Sequence, residues 1–154
     1  MEKATIDKIV PDISLKTTAG DLKLSELRGH NLVLYFYPKD NTPGCTAEGQ
    51  AFRDNYRKFT ARNTKILGAS RDTLPSHERF KQKYSFPFEL VSDPDEELCK
   101  AFDVIKEKKL YGKKFLGVDR STFIIDAQGV LKKDFRGVKV KGHVEEVLAA
   151  IKAL

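Results

Sequence analysis

The 154-residue chain has few of the residues that mark secreted, metal-binding or membrane proteins. It has two cysteines, too few for a disulfide-stapled secreted domain. Its three histidines, His30, His77 and His143, fall in no metal-ligand spacing, so neither a metal nor another cofactor is predicted. The longest apolar run, around Leu32 to Tyr37, is far shorter than the roughly 20 residues that cross a bilayer, and the N-terminus lacks a signal-peptide core. We therefore predict a cytoplasmic protein with no membrane partner.

The composition is that of one globular unit. Hydrophobic residues make up 40% and charged residues 32% of the chain. No Gly/Ser linker, low-complexity tract or internal repeat interrupts the sequence. A single domain over residues 1–154 is predicted.

The charge is basic, with a net value of +6. Lysines gather in "KEKKLYGKK", from Lys106 to Lys114, but acids are mixed with them and no nucleic-acid motif accompanies them. Charge alone indicates solubility and non-specific association. We interpret this segment as a solvated basic face and predict no specific nucleic-acid partner.

Strand patterns alternate with helix patterns. The apolar run Leu32–Tyr37 is typical of a central strand covered on both faces, and Thr64–Ser70 is predicted as the next strand. Ser121–Asp126 and Gly129–Phe135 are predicted to form a hairpin.

Amphipathic helices are predicted between and after these strands. A helix from about Pro43 to Ala61 would place aromatic residues on one face, and shorter helices are expected at Ser76–Tyr84 and after Ser92-Asp93-Pro94. The last helix would bury one apolar stripe, made of Val144, Val147, Leu148, Ile151 and Leu154. The order of elements predicts an α/β sandwich of thioredoxin-like topology, with a central mixed β-sheet flanked by helices.

Cys45 follows the central strand closely. Pro38 ends that strand because it cannot donate a ladder hydrogen bond, Thr42 stands at an N-cap position, and Pro43 suits the first helical turn. Cys45 would then lie in that first turn, where unpaired N–H groups and the helix dipole favour a thiolate over a thiol. A merely structural cysteine after a good helix start is the alternative.

The spacing Pro38-x-x-x-Thr42-x-x-Cys45 resembles the signature of peroxiredoxins. The longer segment "YFYPKDNTPGCTAE" is similar to the bacterioferritin comigratory protein, or peroxiredoxin Q, subfamily, as are "LVSDPDEELCKAFDV" and "VDRSTFIIDAQGVL". The resemblance implies a thiol-dependent peroxidase in which Cys45 attacks a hydroperoxide and becomes a sulfenic acid. It implies that Thr42 positions the peroxide, Pro38 shields the pocket and Arg120 completes it.

The residue types fit these roles. Cleavage of an O–O bond needs an anionic nucleophile and donors for the charge that develops on the leaving oxygen, and Arg120 can serve both needs. Without the motif, Arg120 would be interpreted as a surface arginine. Glu48, one helical turn beyond Cys45, is predicted to play a supporting role by pairing with Arg120 or capping the helix.

The chain departs from the subfamily at the resolving cysteine. Many members place it five residues after the peroxidatic cysteine, where this chain has Gln50. Cys99, the other cysteine, is interpreted as a packed core thiol, with a resolving role as the alternative. We expect reduction by an external thiol such as thioredoxin, glutaredoxin or glutathione. A monomer, or at most a small dimer, is also expected, since no extension with a further cysteine follows the predicted last helix.

Two other functions are alternatives. A thiol-disulfide oxidoreductase would need a second thiol, normally in C-x-x-C, whereas Cys45 is followed by Thr46, Ala47 and Glu48. A non-catalytic basic binding or chaperone-like module would not need Pro38, Thr42, Cys45 and Arg120 together, and all of them are present.

Overall fold

The computed structural model describes residues 2–154. In chain order, the strands are β1 (Ser14–Thr17), β2 (Gly20–Lys23), β3 (Asn31–Phe36), β4 (Thr64–Ser70), β5 (Glu89–Ser92), β6 (Ile105–Leu110), β7 (Lys113–Val118), β8 (Ser121–Ile125) and β9 (Leu131–Phe135). The helices are α1 (Pro43–Asp54), α2 (Tyr56–Thr60), α3 (Leu74–Tyr84), α4 (Glu97–Ala101) and α5 (His143–Lys152), with one 3-10 turn at Leu24–Leu27.

Seven strands form one mixed sheet in the order β2-β1-β5-β4-β3-β8-β9. The central strands β3, β4 and β5 run parallel, whereas β8 pairs antiparallel with β3 on one side and β1 pairs antiparallel with β5 on the other. Strands β6 and β7 pair only with each other, in a separate two-stranded sheet. The predicted central mixed sheet flanked by helices is confirmed.

The two faces of the sheet carry separate hydrophobic clusters. Side chains alternate along β3, so that Leu34 packs in one cluster and its neighbour Tyr35 in the other. Helices α1, α2, α3 and α5 cover the face that holds Tyr35. Helix α4 covers the opposite face together with Phe102 and Val104.

The long helix predicted for Pro43–Ala61 is broken into α1 and α2. At Asn55 the backbone leaves helical geometry, with φ −106° and ψ 6°. The Asn55 side-chain amide donates to the Ala51 carbonyl at 2.8 Å, so it competes for the acceptor that the next turn needs. The predicted aromatic face nevertheless forms, because Phe52 and Phe59 are both buried in the same cluster.

Two other helix boundaries differ from those predicted. Helix α4 begins at Glu97, later than Pro94, because the Asp93 carboxylate accepts the N–H groups of Leu98 and Cys99 across an intervening turn. Helix α5 ends at Lys152, so Leu154 is exposed and does not join the buried stripe of the last helix.

The predicted hairpin of β8 and β9 is confirmed, with a tight turn between the strands. The Asp126 carboxylate accepts the N–H groups of Gln128 and Val130, and Gly129 adopts a φ of +86° that a side chain would oppose. Among residues 2–154, no helix is long and apolar enough to cross a membrane.

Candidate active site

Cys45 lies at the carboxyl end of the central strand, in the first turn of α1. Helix α1 begins at Pro43, and Thr42 occupies the N-cap position with extended backbone geometry. The N–H groups of this first turn have no acceptor within the helix, and the positive end of the helix dipole lies there. Cys45 is only 2% exposed, so very little of this residue is open to solvent.

Arg120 joins Cys45 to Glu48. One terminal nitrogen, Nη1, donates to Glu48 Oε1 at 2.7 Å, and the other, Nη2, lies 3.4 Å from Cys45 Sγ. Arg120 immediately precedes β8, which is antiparallel to β3, so the sheet fixes the approach of the guanidinium to α1. The arrangement holds a permanent positive charge against the sulfur.

Glu48 is fully buried beneath this arginine. Burial raises its pKa to about 7, against the opposing effect of the Arg120 charge and hydrogen bond. Its second oxygen, Oε2, finds no hydrogen-bond partner among residues 2–154. Burial lowers the pKa of Arg120, but the charges and hydrogen bonds of Glu48 and Cys45 outweigh it and raise that pKa overall. The guanidinium therefore stays cationic.

Gly44 makes room for the guanidinium. A β-carbon at position 44 would lie 3.2 Å from Arg120 Nη2. The absence of a side chain thus lets Arg120 lie against the first turn of α1. Sequence reasoning placed Gly44 in that turn but gave it no such role, because the contact joins residues far apart in the chain.

Thr42 and Pro38 lie on the loop that leads into α1, and both are half-buried. The Thr42 hydroxyl does not cap the helix but donates to the Lys39 carbonyl at 2.9 Å. Its lone pairs are therefore left to accept a hydrogen bond from another molecule.

A buried polar network anchors the same loop. The Asp40 carboxylate accepts from the Tyr37 hydroxyl at 2.6 Å and the Ser76 hydroxyl at 2.8 Å, and one of its oxygens lies 2.7 Å from His77 Nδ1. His77 Nε2 lies 2.8 Å from the Val91 carbonyl, which can only accept, so this nitrogen carries a proton. Nδ1 of His77 faces the Asp40 carboxylate, so this contact ties the loop to α3.

This network also contains the one group of metal-capable side chains found within residues 2–154: Asp40, Asp72 and His77. The Asp72 carboxylate accepts from the Asp40 N–H at 2.8 Å and the Ser70 hydroxyl at 2.5 Å. Since the histidine nitrogens and the carboxylates are engaged within the protein, the cluster ties the loop to α3 and the sheet. Sequence reasoning missed it, because Asp40 and His77 are 37 residues apart and belong to no shared motif.

Cys99 lies apart from Cys45, Glu48 and Arg120. It is buried in α4 and belongs to the hydrophobic cluster on the opposite face of the sheet from Cys45. Burial raises the pKa of its thiol strongly, and the neighbouring Asp93 carboxylate adds to that effect. The environment of Cys99 thus disfavours the thiolate form.

Comparisons with known proteins give the chain its family. The AhpC/TSA family model matches residues 6–134. Peroxiredoxin Bcp of Xanthomonas campestris pv. campestris is 52% identical over 143 residues, with 92% of this chain and 89% of the relative covered. Peroxiredoxin Bcp of Bacillus subtilis is 47% identical over 148 residues, with 96% and 94% covered.

A solved structure agrees in fold as well as sequence. The Xanthomonas campestris bacterioferritin comigratory protein, studied for alkyl peroxide reduction, superposes with a TM-score of 0.88 at 51% identity, over 92% of this chain and 90% of that one. The thioredoxin-like α/β fold predicted from the sequence is thereby confirmed. The chain belongs to the AhpC/TSA family and, within it, to the bacterioferritin comigratory protein or peroxiredoxin Q group of thiol-dependent peroxidases.

Proposed function

We propose that Cys45 is the nucleophile with which this peroxidase reduces hydrogen peroxide and organic hydroperoxides. The Cys45 thiolate attacks the terminal oxygen of the hydroperoxide, the S–O bond forms and the O–O bond breaks. The sulfur is oxidised by two electrons to a sulfenic acid, and the leaving alkoxide or hydroxide takes up a proton from water to give an alcohol or water. The Xanthomonas relative studied for alkyl peroxide reduction supports organic hydroperoxides as substrates.

The contact of Arg120 with both Cys45 and Glu48 carries this proposal. The guanidinium places a permanent positive charge beside the attacking atom, with Nη2 3.4 Å from Cys45 Sγ. The same group can donate to the leaving oxygen as negative charge develops there, which lowers the barrier of the displacement. Glu48 holds the other side of the guanidinium and acts as a positioning residue.

Thr42, Pro38 and the first turn of α1 would place the peroxide in line with the sulfur. The Thr42 hydroxyl, whose proton is used by the Lys39 carbonyl, can accept the hydrogen bond of the peroxide O–H. The first-turn N–H groups can donate to the peroxide oxygens. Pro38 offers no N–H and would close the pocket with an apolar ring. In-line placement of this kind can account for a large part of the rate of a displacement.

An external thiol would complete the cycle. Its thiolate attacks the sulfenic sulfur, the S–S bond forms, and the S–O bond breaks with loss of water. A second thiol then releases Cys45 as the thiolate. We assign Cys99 a structural role, because the sheet separates it from Cys45 and its surroundings oppose thiolate formation. Thioredoxin, glutaredoxin and glutathione are the proposed reductants, and a monomer in the cytoplasm is the proposed working form.

Rapid mixing tests these roles. Wild type, Cys45→Ser and Cys99→Ser are each mixed with hydrogen peroxide and with an organic hydroperoxide, with and without a thioredoxin system. The proposal expects Cys45→Ser alone to abolish the first oxidation. First-turnover oxidation that persists in Cys45→Ser would refute the assignment of the nucleophile.

A further inference from the structure

The proposed catalytic roles do not use the basic hairpin, which is formed by β6, β7 and the turn Tyr111-Gly112. It pairs with no strand of the main sheet. Four of the seven large hydrophobic side chains that are exposed within residues 2–154 belong to it: Leu110, Tyr111, Phe115 and Leu116. Tyr111, at the tip, is 95% exposed. Exposed apolar side chains grouped in this way mark an interaction surface.

The same hairpin is strongly cationic. It has one acid, Glu107, against five lysines at positions 106, 108, 109, 113 and 114. Glu107 is paired with Lys114 at 3.6 Å. Apolar side chains within a ring of lysines fit a partner whose complementary surface is acidic. Like charges oppose pairing of this surface with a second copy of the chain, which is itself basic.

The base of the hairpin adjoins the candidate active site. Strand β7 ends at Val118, two residues before Arg120, and the Arg71 guanidinium reaches the Leu116 carbonyl at 3.5 Å. Lys108 donates to the Val118 carbonyl, which ties its strand to the same point. Burial lowers the pKa of Lys108, and Arg120 and Arg71 lower it further against the opposing charge of Asp119. A molecule that covers the hairpin therefore lies close to Arg120, which contacts Cys45.

Reduction of the Cys45 sulfenic acid requires a second molecule close to this site. The chain has two cysteines, and the sheet lies between them, so the electrons that reduce the Cys45 sulfenic acid must come from another molecule. Because Cys45 is buried, a protein thiol can reach it only when the partner rests on the protein surface nearest to it. Of the elements at that edge, the hairpin combines exposed apolar groups with a surplus of charge.

We infer that the basic hairpin docks a protein dithiol reductant whose surface around its reactive cysteine is acidic and carries an apolar patch. This inference rests on the proposed recycling of Cys45 by an external thiol. In the docked complex one partner thiolate attacks the sulfenic sulfur, forming the mixed disulfide and releasing water. The second partner thiol then displaces the Cys45 thiolate, and the partner leaves as a disulfide, oxidised by two electrons.

Two variants of the hairpin test the inference. Tyr111→Ser removes the apolar tip, and Lys113→Glu with Lys114→Glu reverses two charges. The matched control, Lys58→Glu with Lys152→Glu, makes the same change of charge on exposed positions of α2 and α5. Each protein is assayed for first-turnover oxidation by hydrogen peroxide, for recycling by dithiothreitol, and for recycling by thioredoxin with its reductase and NADPH or by glutaredoxin with glutathione.

The expected result separates docking from chemistry. Oxidation of Cys45 and recycling by dithiothreitol stay at wild-type rates in every variant. The second-order rate constant for the protein reductant falls about tenfold or more in the hairpin charge reversal, falls with rising salt in wild type, and changes little in the control. Tyr111→Ser lowers the same rate constant without changing its dependence on salt.

Other outcomes overturn the inference. Hairpin variants that thioredoxin and glutaredoxin recycle like wild type would refute it, as would a wild type that only small thiols recycle. Binding of the wild type to vesicles rich in phosphatidylglycerol, lost in Tyr111→Ser while protein recycling is unchanged, would reassign the hairpin to an anionic lipid surface. A wild type with no first-turnover oxidation would instead count against the proposed function. If oxidation and recycling by dithiothreitol are normal, the proposed function stands and only the docking inference is tested by the protein reductants.

Discussion

Cys45 and Cys99 pack against opposite faces of the same seven-stranded sheet. Cys45 shares its cluster with Tyr35 and Phe52, whereas Cys99 shares its own with Phe36 and Phe102. A disulfide requires α-carbons within about 7 Å of each other. The sheet lies between the two cysteines, which supports the proposal that thiols from outside the chain complete the cycle.

The first prediction follows from that separation. Cys99→Ala should keep first-turnover oxidation and recycling at wild-type rates, at a modest cost in stability because a small buried side chain is removed. Mass spectrometry of peroxide-treated wild type should find an oxyacid or a mixed disulfide at Cys45. A quantitative disulfide between the two cysteines would contradict both the proposed role of Cys99 and the expected result for the variant.

Arg120→Lys should slow Cys45 oxidation by about a hundredfold or more, the usual effect of removing one donor from a charge-stabilising site. A lysine offers one ammonium and cannot hold Cys45 and Glu48 with two separate nitrogens. Stopped-flow measurement of the first turnover gives the rate. Arg57→Lys, an exposed position on α2, is the matched control and should react like wild type. Equal rates for the two variants would remove Arg120 from the mechanism.

Gly44→Ala tests how closely the guanidinium must approach α1. The added carbon would lie 3.2 Å from Arg120 Nη2, so the arginine must shift by a few tenths of an ångström. We expect slower first-turnover oxidation with little change in the free energy of unfolding, since alanine is favoured in a helix. Gly112→Ala is the control with the opposite expected effects. Gly112 lies on the hairpin turn, and its left-handed backbone disfavours alanine. This substitution should cost stability and leave Cys45 oxidation unchanged.

Local patterns predicted the parts of the fold in which neighbouring residues decide the structure. The apolar run of β3, the proline-led start of α1 and the hairpin of β8 and β9 are of this kind. The sequence pattern does not predict β6 and β7, because lysines occupy half of β6 and the polar pattern resembles a solvated segment. Here pairing between the two strands, and not burial of alternate side chains, determines the structure.

The candidate site also contains residues that local sequence predicts and residues that depend on distant contacts. Cys45, Thr42, Pro38 and Arg120 were named from a motif and a resemblance, and their roles remain predictions. The anchor that Asp40 and His77 provide depends on a contact between a loop and a distant helix, for which no local pattern exists. The space that Gly44 leaves for Arg120 and the burial of Glu48 likewise depend on the position of Arg120 beside α1, which local sequence does not predict.

Asp40→Asn should destabilise the protein by about 2 to 3 kcal/mol, because the amide has one acceptor oxygen in place of two and leaves buried hydrogen-bond donors unpaired. It should also slow Cys45 oxidation, because Asp40 anchors the loop that carries Thr42. Ser76→Ala removes only one hydrogen bond to Asp40 and should cost about 1 kcal/mol. Urea unfolding gives both values. If Asp40→Asn costs no more than Ser76→Ala, the pair with His77 does not hold the loop.

The last prediction concerns pH and Glu48, whose pKa burial raises from 4.5 to about 7. Between these two values the folded protein keeps a proton on Glu48 that the unfolded chain has lost. The unfolded state therefore binds fewer protons, and this group makes the folded state less stable as pH rises through that window. A shift of that size corresponds to at most about 3 kcal/mol.

Glu48→Gln removes this dependence, because an amide does not titrate, while its carbonyl oxygen can still accept from Arg120 Nη1. Urea unfolding at pH 4.5 and pH 8 should show wild type losing stability relative to Glu48→Gln as pH rises. Glu78→Gln, at an exposed position of α3, is the control and should keep the wild-type pH profile. Parallel profiles for wild type and Glu48→Gln would mean that Glu48 has the same pKa in the folded and unfolded states and is ionised near neutral pH. The Arg120 charge would then be shared between two anions whenever Cys45 is a thiolate, and Glu48→Gln would be expected to speed peroxide reduction by directing that charge to the sulfur.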